Sequence, residues 1–288
     1  MRRVTQYCHL RTCPFCGSSE LVNKGAINFP QPLTFVDTPV SFAFEPQLWR
    51  CRGCLSGFVQ DALAEKEALE MYAANSGKRW AYEEPFQLHR DPRVVSGIRT
   101  HLSSGGKVLD IGCNTGMFLD LCSELGCHTH GVELSHQARR LCRDKGHACW
   151  PDLDSIPPGM KFDVLTLFDL IEHVFEPVPF LQRCRGLLSE KGKVLILTGD
   201  INCPMARLFQ RSWWYLRYAD HVRFPSPRFF SQLPGYRLKE WARVYVFRKL
   251  ARGTDRYRDL LKRALRRNYH GYPPLGPDHM LVILEAVS

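Results

Sequence analysis

No stretch of this sequence approaches the roughly 18 consecutive apolar residues that a membrane-spanning helix requires. The N-terminus, MRRVTQYCHLRTCPFC, is basic, yet no apolar region follows the charge, so no secretory signal is read there. These two absences give the expectation of a soluble, cytoplasmic protein. Acidic residues are in short supply, with 29 Asp and Glu against 39 Lys and Arg and a net charge of +10. At 44% apolar and 24% charged, the composition excludes disordered, collagen-like and coiled-coil classes, and 288 residues allow one large domain plus a small one.

The charge surplus is local. Between Arg237 and His270 twelve Lys and Arg stand against three acids, a net of +9 that leaves the rest of the chain at +1. Within that stretch Tyr257, Leu260, Leu261, Ala264 and Leu265 share one helical face, Thr254 is a cap, and the cations take the other face. A basic helical insertion over about 249–272 is expected, its cations either solvated or meeting an anionic small molecule or RNA.

Twelve cysteines without an export signal argue for reduced thiols or metal ligands rather than a disulfide framework. Cys13-Pro-Phe-Cys16 and Cys51-Arg-Gly-Cys54 are two Cys-x2-Cys hooks separated by 34 residues. Such hooks supply the four soft ligands of a structural Zn²⁺ site, with Cys8 and His9 near enough to substitute for one of them. Aromatic and proline residues between the hooks suit a small β-rich lobe over 1–60, whose folding energy comes from the metal. A helical connector over 61–104 is expected to follow, carrying Tyr72, Trp80 and Tyr82 as aromatics able to close over a ligand.

Residues 107–125, KVLDIGCNTGMFLDLCSEL, read as a buried strand, a glycine turn and an amphipathic helix, the opening of a doubly wound α/β domain. Gly112 and Gly116 let backbone pass close to a ligand, and Asp110 ends the strand with an acceptor for a ligand amine. The G-x-G-x-x-G fingerprint is absent: Asn114 and Met117 occupy its later positions, which disfavours a pyrophosphate ligand. A second strand ends near Glu133, about twenty residues on, where a carboxylate takes the two hydroxyls of a ribose.

These segments resemble motifs I and II of the class I S-adenosylmethionine-dependent methyltransferases, with Asn114 in place of the middle glycine of D-x-G-x-G-x-G. The resemblance runs over 105–288, through Phe162–Val174 as fourth strand and loop, Lys193–Thr198 as fifth strand, and a terminal antiparallel pair over 240–247 and 279–287. It implies a Rossmann-like, seven-stranded α/β sheet with an antiparallel last strand. It also implies S-adenosylmethionine held by Asp110, Gly112, Cys113, Asn114, Gly116, Glu133, Leu134, Asp152 and Asp169, with Asp152 at the adenine amino group.

Methyl transfer needs an aligned nucleophile and, for a hydroxyl acceptor, a base. His173, in Ile171-Glu172-His173-Val174, follows the fourth strand and belongs to a residue type that titrates near neutrality; Glu172 adjoins it. A second group, RSWWYLRYADHVRFPS over 211–226, offers Trp213, Trp214, Tyr215 and Tyr218 as an aromatic wall and His221 as a second base. The order of hooks, methyltransferase segments and Trp-Trp-Tyr block resembles sugar C-methyltransferases and relatives from polysaccharide and antibiotic pathways. A small hydroxylated acceptor is therefore expected, such as a nucleotide-linked sugar or natural-product intermediate. The alternative is RNA bound through the zinc lobe and the basic insertion. No N-P-P-Tyr-like tetrapeptide for flipped bases follows the fourth strand, which reads Asp169-Leu-Ile-Glu172.

Overall fold

A computed structural model describes residues 2–5, 7–29, 32–36, 38–74, 86, 90–245 and 276–287. Trp80, Tyr82 and the basic insertion over 249–272 lie outside the described residues. Among the described residues no helix is long and apolar enough to cross a membrane.

The main body is a seven-stranded sheet. Its strands are β1 (Lys107–Ile111), β2 (His128–Val132), β3 (Ala148–Trp150), β4 (Phe162–Phe168), β5 (Leu188–Gly199), β6 (Tyr236–Val244) and β7 (His279–Ala286). Their spatial order is β3-β2-β1-β4-β5-β7-β6. The first five are parallel, and β7 runs antiparallel to β5 and β6. This is the Rossmann-like sheet with an antiparallel end strand. The parallel strands are short apolar runs because helices cover both faces; Leu109, Leu165, Leu195 and Leu197 are fully buried. Cutting one such leucine to alanine costs about 2–5 kcal/mol. β5 and β6 begin at Leu188 and Tyr236, earlier than the sequence pattern suggests, since β-pairing with neighbours extends them through polar residues that carry no strand signal.

Of the helices, α1 (Glu65–Ala73) and α2 (Pro92–Arg99) fall in the connector, separated by residues most of which lie outside the described ones. α3 (Met117–Glu124) follows the glycine turn, α4 (His136–Asp144) is N-capped by the Ser135 side chain, and α5 (Pro177–Leu187) follows β4.

At the N-terminal end, strands Leu21–Ala26, Gln47–Cys51 and Gly57–Gln60 form an antiparallel sheet. Its fourth strand is Arg223–Phe224, contributed from beyond β5. The lobe's apolar residues, among them Phe35, Leu48 and Val59, share one core cluster with Trp213, Leu216 and Phe224. Cys13, Phe15, Cys51 and Cys54 join the main-sheet core, where Phe15 packs edge-on against Phe229 at 4.9 Å. The N-terminal strands and the segment after β5 are thus a single packed unit.

Candidate functional site

The parallel strands β1, β2 and β4 end at one rim of the sheet, and the chain reverses there in turns that only a few backbone conformations allow. Gly112, Asn114 and Gly116 have φ of 80°, 48° and 79°. Asn114 takes the left-handed conformation that would otherwise ask for glycine, which asparagine tolerates better than most residues. A cavity of about 540 Å³ opens at this rim, bounded by the strand ends, α1 and the segment 214–221.

One side of the cavity is acidic and backbone-lined. Asp110 is buried and accepts a hydrogen bond from Thr166 Oγ1 at 2.6 Å. Burial pushes its carboxyl up to about 7, the Thr166 hydroxyl opposing. Glu133 accepts from the Asn114 N–H at 3.0 Å and the Ser135 N–H at 2.7 Å. Burial raises its pKa, and those two amides pull it back. Leu134 and Asp152 line the same side; Asp152 caps a short turn by accepting from Ser155 N and Oγ, both at 2.8 Å. Asp169, with φ 51°, receives Arg90 Nη2 at 2.7 Å. Cys113 contributes to the lining, although its sulfur sits among Cys142 and Cys149, which do not.

The other side is aromatic and imidazole-rich. His173 Nδ1 lies 2.9 Å from the Asp220 carbonyl and 2.8 Å from the Tyr72 hydroxyl. A carbonyl only accepts, so the proton sits on Nδ1 and Nε2 is the basic nitrogen. The same reasoning holds for His221, whose Nδ1 is 2.8 Å from the Tyr215 carbonyl. The two rings meet edge to face at 4.8 Å. Glu172, fully buried between them and the sheet, accepts from Thr198 Oγ1 at 2.9 Å and from the Tyr215 hydroxyl. Burial raises its pKa, with His173 countering. Burial also holds the Tyr72 hydroxyl well above its ordinary value, reinforced by the Asp220 and Glu172 charges. Ligand atoms of Glu172, His173 and His221 all lie within 4.8 Å of one another, a spacing that could hold a divalent cation.

Among the described residues, every one expected from the sequence to face a small ligand at this rim borders the cavity except Gly116 and Trp213. Gly116 caps α3 from beneath, where a Cβ would come 2.9 Å from Cys142 Sγ. Trp213 belongs to the core, tilted against Tyr215 at 5.2 Å and Phe224 at 6.2 Å, so the wall consists of Trp214, Tyr215 and Tyr218. Sequence reasoning missed Arg90, Asp220 and the Asp278–His279 pair. His279 Nδ1 meets Asp278 Oδ1 at 2.9 Å, and Trp214 Nε1 donates to the other carboxylate oxygen. Burial lowers the His279 pKa most, but the charge and hydrogen bond of Asp278 together with the Asp169 and Glu172 charges outweigh it, and the net shift is upward. An available signal was the acid-histidine dipeptide, which occurs at Glu172-His173, at Asp220-His221 and again at Asp278-His279.

Away from the cavity, Cys13, Cys16, Cys51 and Cys54 gather with their sulfurs within 4.8 Å. Cys13 Sγ to Cys54 Sγ and Cys16 Sγ to Cys51 Sγ are both 3.6 Å. Bonds of about 2.3 Å to one tetrahedral ion would put the sulfurs about 3.8 Å apart, so the set fits zinc.

Comparison with known proteins gives a consistent neighbourhood. A family model described as "Methyltransferase domain" matches residues 70–233. The ubiquinone biosynthesis O-methyltransferase of Xanthomonas euvesicatoria is 25% identical over 209 residues, covering 68% of this chain and 74% of that protein. That of Bradyrhizobium diazoefficiens is 33% identical over 105 residues, covering 34% of this chain. This chain spans only 42% of the length of the latter relative. Among solved structures, N-methyltransferase NodS from Bradyrhizobium japonicum, in complex with S-adenosyl-L-homocysteine, aligns with a TM-score of 0.50 at 12% identity. The alignment covers 78% of this chain and 99% of that one, and it reflects a shared fold.

Proposed function

The chain belongs to the methyltransferase-domain family, and on that premise we propose that it transfers a methyl group from S-adenosylmethionine to an oxygen of a small hydroxylated metabolite. The observation that carries this reading is the meeting, in one cavity, of an acidic, backbone-lined side and a side holding two imidazoles with fixed tautomers. A donor with a sulfonium, an ammonium and a ribose suits two carboxylates, Asp110 and Glu133, that would repel a pyrophosphate. The donor supplies an electrophilic methyl group. Asp110 takes its ammonium, Glu133 its ribose hydroxyls, Asp152 its adenine amino group, and the turn through Gly112, Cys113 and Asn114 admits it without side-chain obstruction.

On the opposite side His173 Nε2 accepts the acceptor's hydroxyl proton, and Tyr72 and the Asp220 carbonyl hold the ring by its Nδ1–H. A positioned base of this kind is worth about 10²–10⁴ in rate. His221 stands behind as a second proton acceptor, and Glu172 stabilises the imidazolium that forms. Trp214, Tyr215 and Tyr218 present flat apolar faces for a ring, whether aromatic or the face of a sugar. The relatives' names, O-methyltransferases in ubiquinone biosynthesis, favour oxygen as the methylated atom. A nucleotide-linked sugar or a natural-product intermediate is the finer class we propose.

The four thiolates of the 1–60 lobe hold one structural Zn²⁺, closed to substrate because no ligand position is left open. Thiolate ligands ask for a reducing compartment, which supports a cytoplasmic setting.

The test is an incubation of the protein with methyl-labelled donor and a metabolite extract, followed by identification of the labelled product by mass. Label in a small hydroxylated compound, formed about 10²–10⁴-fold more slowly by His173→Ala, is expected. Label in RNA, or in no product, would count against the reading.

A further inference from the structure

Beneath the glycine turn three sulfurs from three different elements meet. Cys113 lies in the turn after β1, Cys142 in α4 and Cys149 in β3, with exposures of 4%, 0% and 3%. Cys113 Sγ is 3.8 Å from Cys142 Sγ and 3.5 Å from Cys149 Sγ, and all three atoms lie within 4.8 Å of one another. The chain leaves deliberate room for them: a Cβ on Gly131 would stand 2.5 Å from Cys113 Sγ, and one on Gly116 2.9 Å from Cys142 Sγ.

We propose that these thiolates form a second metal site, three-coordinate and separate from the four-cysteine hooks, which takes a soft monovalent ion of the Cu⁺ class. Thiolate sulfur selects soft ions. Three bonds of about 2.3 Å in a plane put the sulfurs about 4 Å apart, close to the arrangement found. A fourth ligand is not at hand among the described residues. A neighbouring imidazole, His147, is held at Nδ1 by Thr129 Oγ1 at 2.8 Å and at Nε2 by Asp120 Oδ1 at 2.9 Å. Structural zinc takes four ligands, so a dry set of three suits an ion content with three.

Charge points the same way. Three thiolates around one monovalent cation carry a net negative charge, which an apolar interior does not tolerate alone. α4 sets two guanidiniums near Cys149, which offset the thiolates and the buried Asp110 and Glu133 carboxylates that act on the same sulfur. Arg143 Nε donates to the Cys149 carbonyl at 2.8 Å, and Arg139, 7% exposed, donates to the Glu133 carbonyl at 2.6 Å. On binding, each thiol gives its proton to solvent and no redox change occurs. The ion ties the turn carrying Cys113 to α4 and β3, and a ligand that binds only the folded chain raises Tm.

The test uses the full chain, reduced and zinc-replete, loaded anaerobically with Cu⁺ and then stripped of loosely held metal by a chelator. Copper and zinc are counted against protein, and X-ray absorption at the copper edge counts sulfur neighbours in the wild type, which needs no variant to fold. One copper per chain with three sulfurs, retained zinc, and loss of that copper in Cys142→Ala and Cys149→Ala are expected. A chain that keeps no copper, copper that replaces zinc or has four sulfur neighbours, or copper undiminished in both variants overturns the proposal and leaves the three thiols as core packing.

Discussion

At the residue scale, Asp110 makes the cavity sensitive to pH. Its carboxyl ordinarily titrates near 3.8 and is pushed up to about 7 by burial. The folded, donor-free chain therefore holds this proton more tightly than the unfolded chain does. The sign follows: as pH rises from about 4 to about 7, ionising Asp110 removes stability from the donor-free protein, and a cationic donor restores it by pairing with the carboxylate. Donor affinity should weaken by up to about tenfold per pH unit below 7. Calorimetric titration between pH 5 and 7 checks this, and the slope should flatten in Asp110→Asn, leaving only what the buried Glu133 contributes. His173→Ala should lower kcat by about 10²–10⁴ while leaving donor Kd nearly unchanged, a split that steady-state and binding measurements together resolve. Asp110 and Glu133 were legible at the cavity because each sits at a strand end whose position the hydrophobic pattern marks, and His173 because it lies in the short turn that follows β4. Asp220 and Asp278 were not. The acid-histidine dipeptide marks both positions, but their roles depend on partners 47 and 64 residues away, His173 and Trp214, which no local pattern names.

At the scale of elements, the hooks and the strand they serve are coupled. Cys51 closes the strand Gln47–Cys51, Cys54 follows in the turn, and the next strand, Gly57–Gln60, pairs with Arg223–Phe224 just after His221. Arg223, 1% exposed, donates to the carbonyls of Phe175 and Val222. Cys51→Ser should therefore remove one zinc equivalent, lower Tm, and reduce acceptor turnover more than donor affinity. Metal analysis, thermal melts and separate measurements of kcat and donor Kd read these three effects. The hooks were plain in the sequence because two Cys-x2-Cys pairs are a ligand spacing in themselves. The strand Arg223–Phe224 was invisible. Two residues carry no period, and its β-conformation comes from the edge it completes. Trp213 and Trp214 illustrate the same limit. Adjacent and chemically alike, they diverge where the chain enters a short 3-10 turn, one into the core and the other to the cavity.

At the scale of the whole molecule, the seven-stranded order could be anticipated because five segments occur in sequence with βαβ spacing. The shared core between the N-terminal strands and the segment after β5 could not, since nothing along the chain marks which surfaces meet. That shared core carries an expectation: the full chain should unfold in one thermal transition followed alike by far-UV circular dichroism and tryptophan fluorescence, and two separated transitions would argue for an independent lobe. The positive charge also changes meaning at this scale. Of the basic stretch, Arg237 and Lys239 both pair with Glu285, and Arg243 pairs with the buried Asp200. These cations serve the edge of the sheet.

In the proposed function one cavity binds the methyl donor through β1 and β2 and presents a base from the β4 side. Titrating S-adenosylmethionine and S-adenosylhomocysteine into the wild type and into Asp110→Ala, Glu133→Ala and His173→Ala separates the two roles. Saturable one-to-one binding is expected, weakened at least about tenfold by either carboxylate substitution, the loss of a charge-assisted contact of about 1.5–3 kcal/mol, and retained in His173→Ala. Binding that is absent from the wild type, or equal in all four proteins, would contradict it.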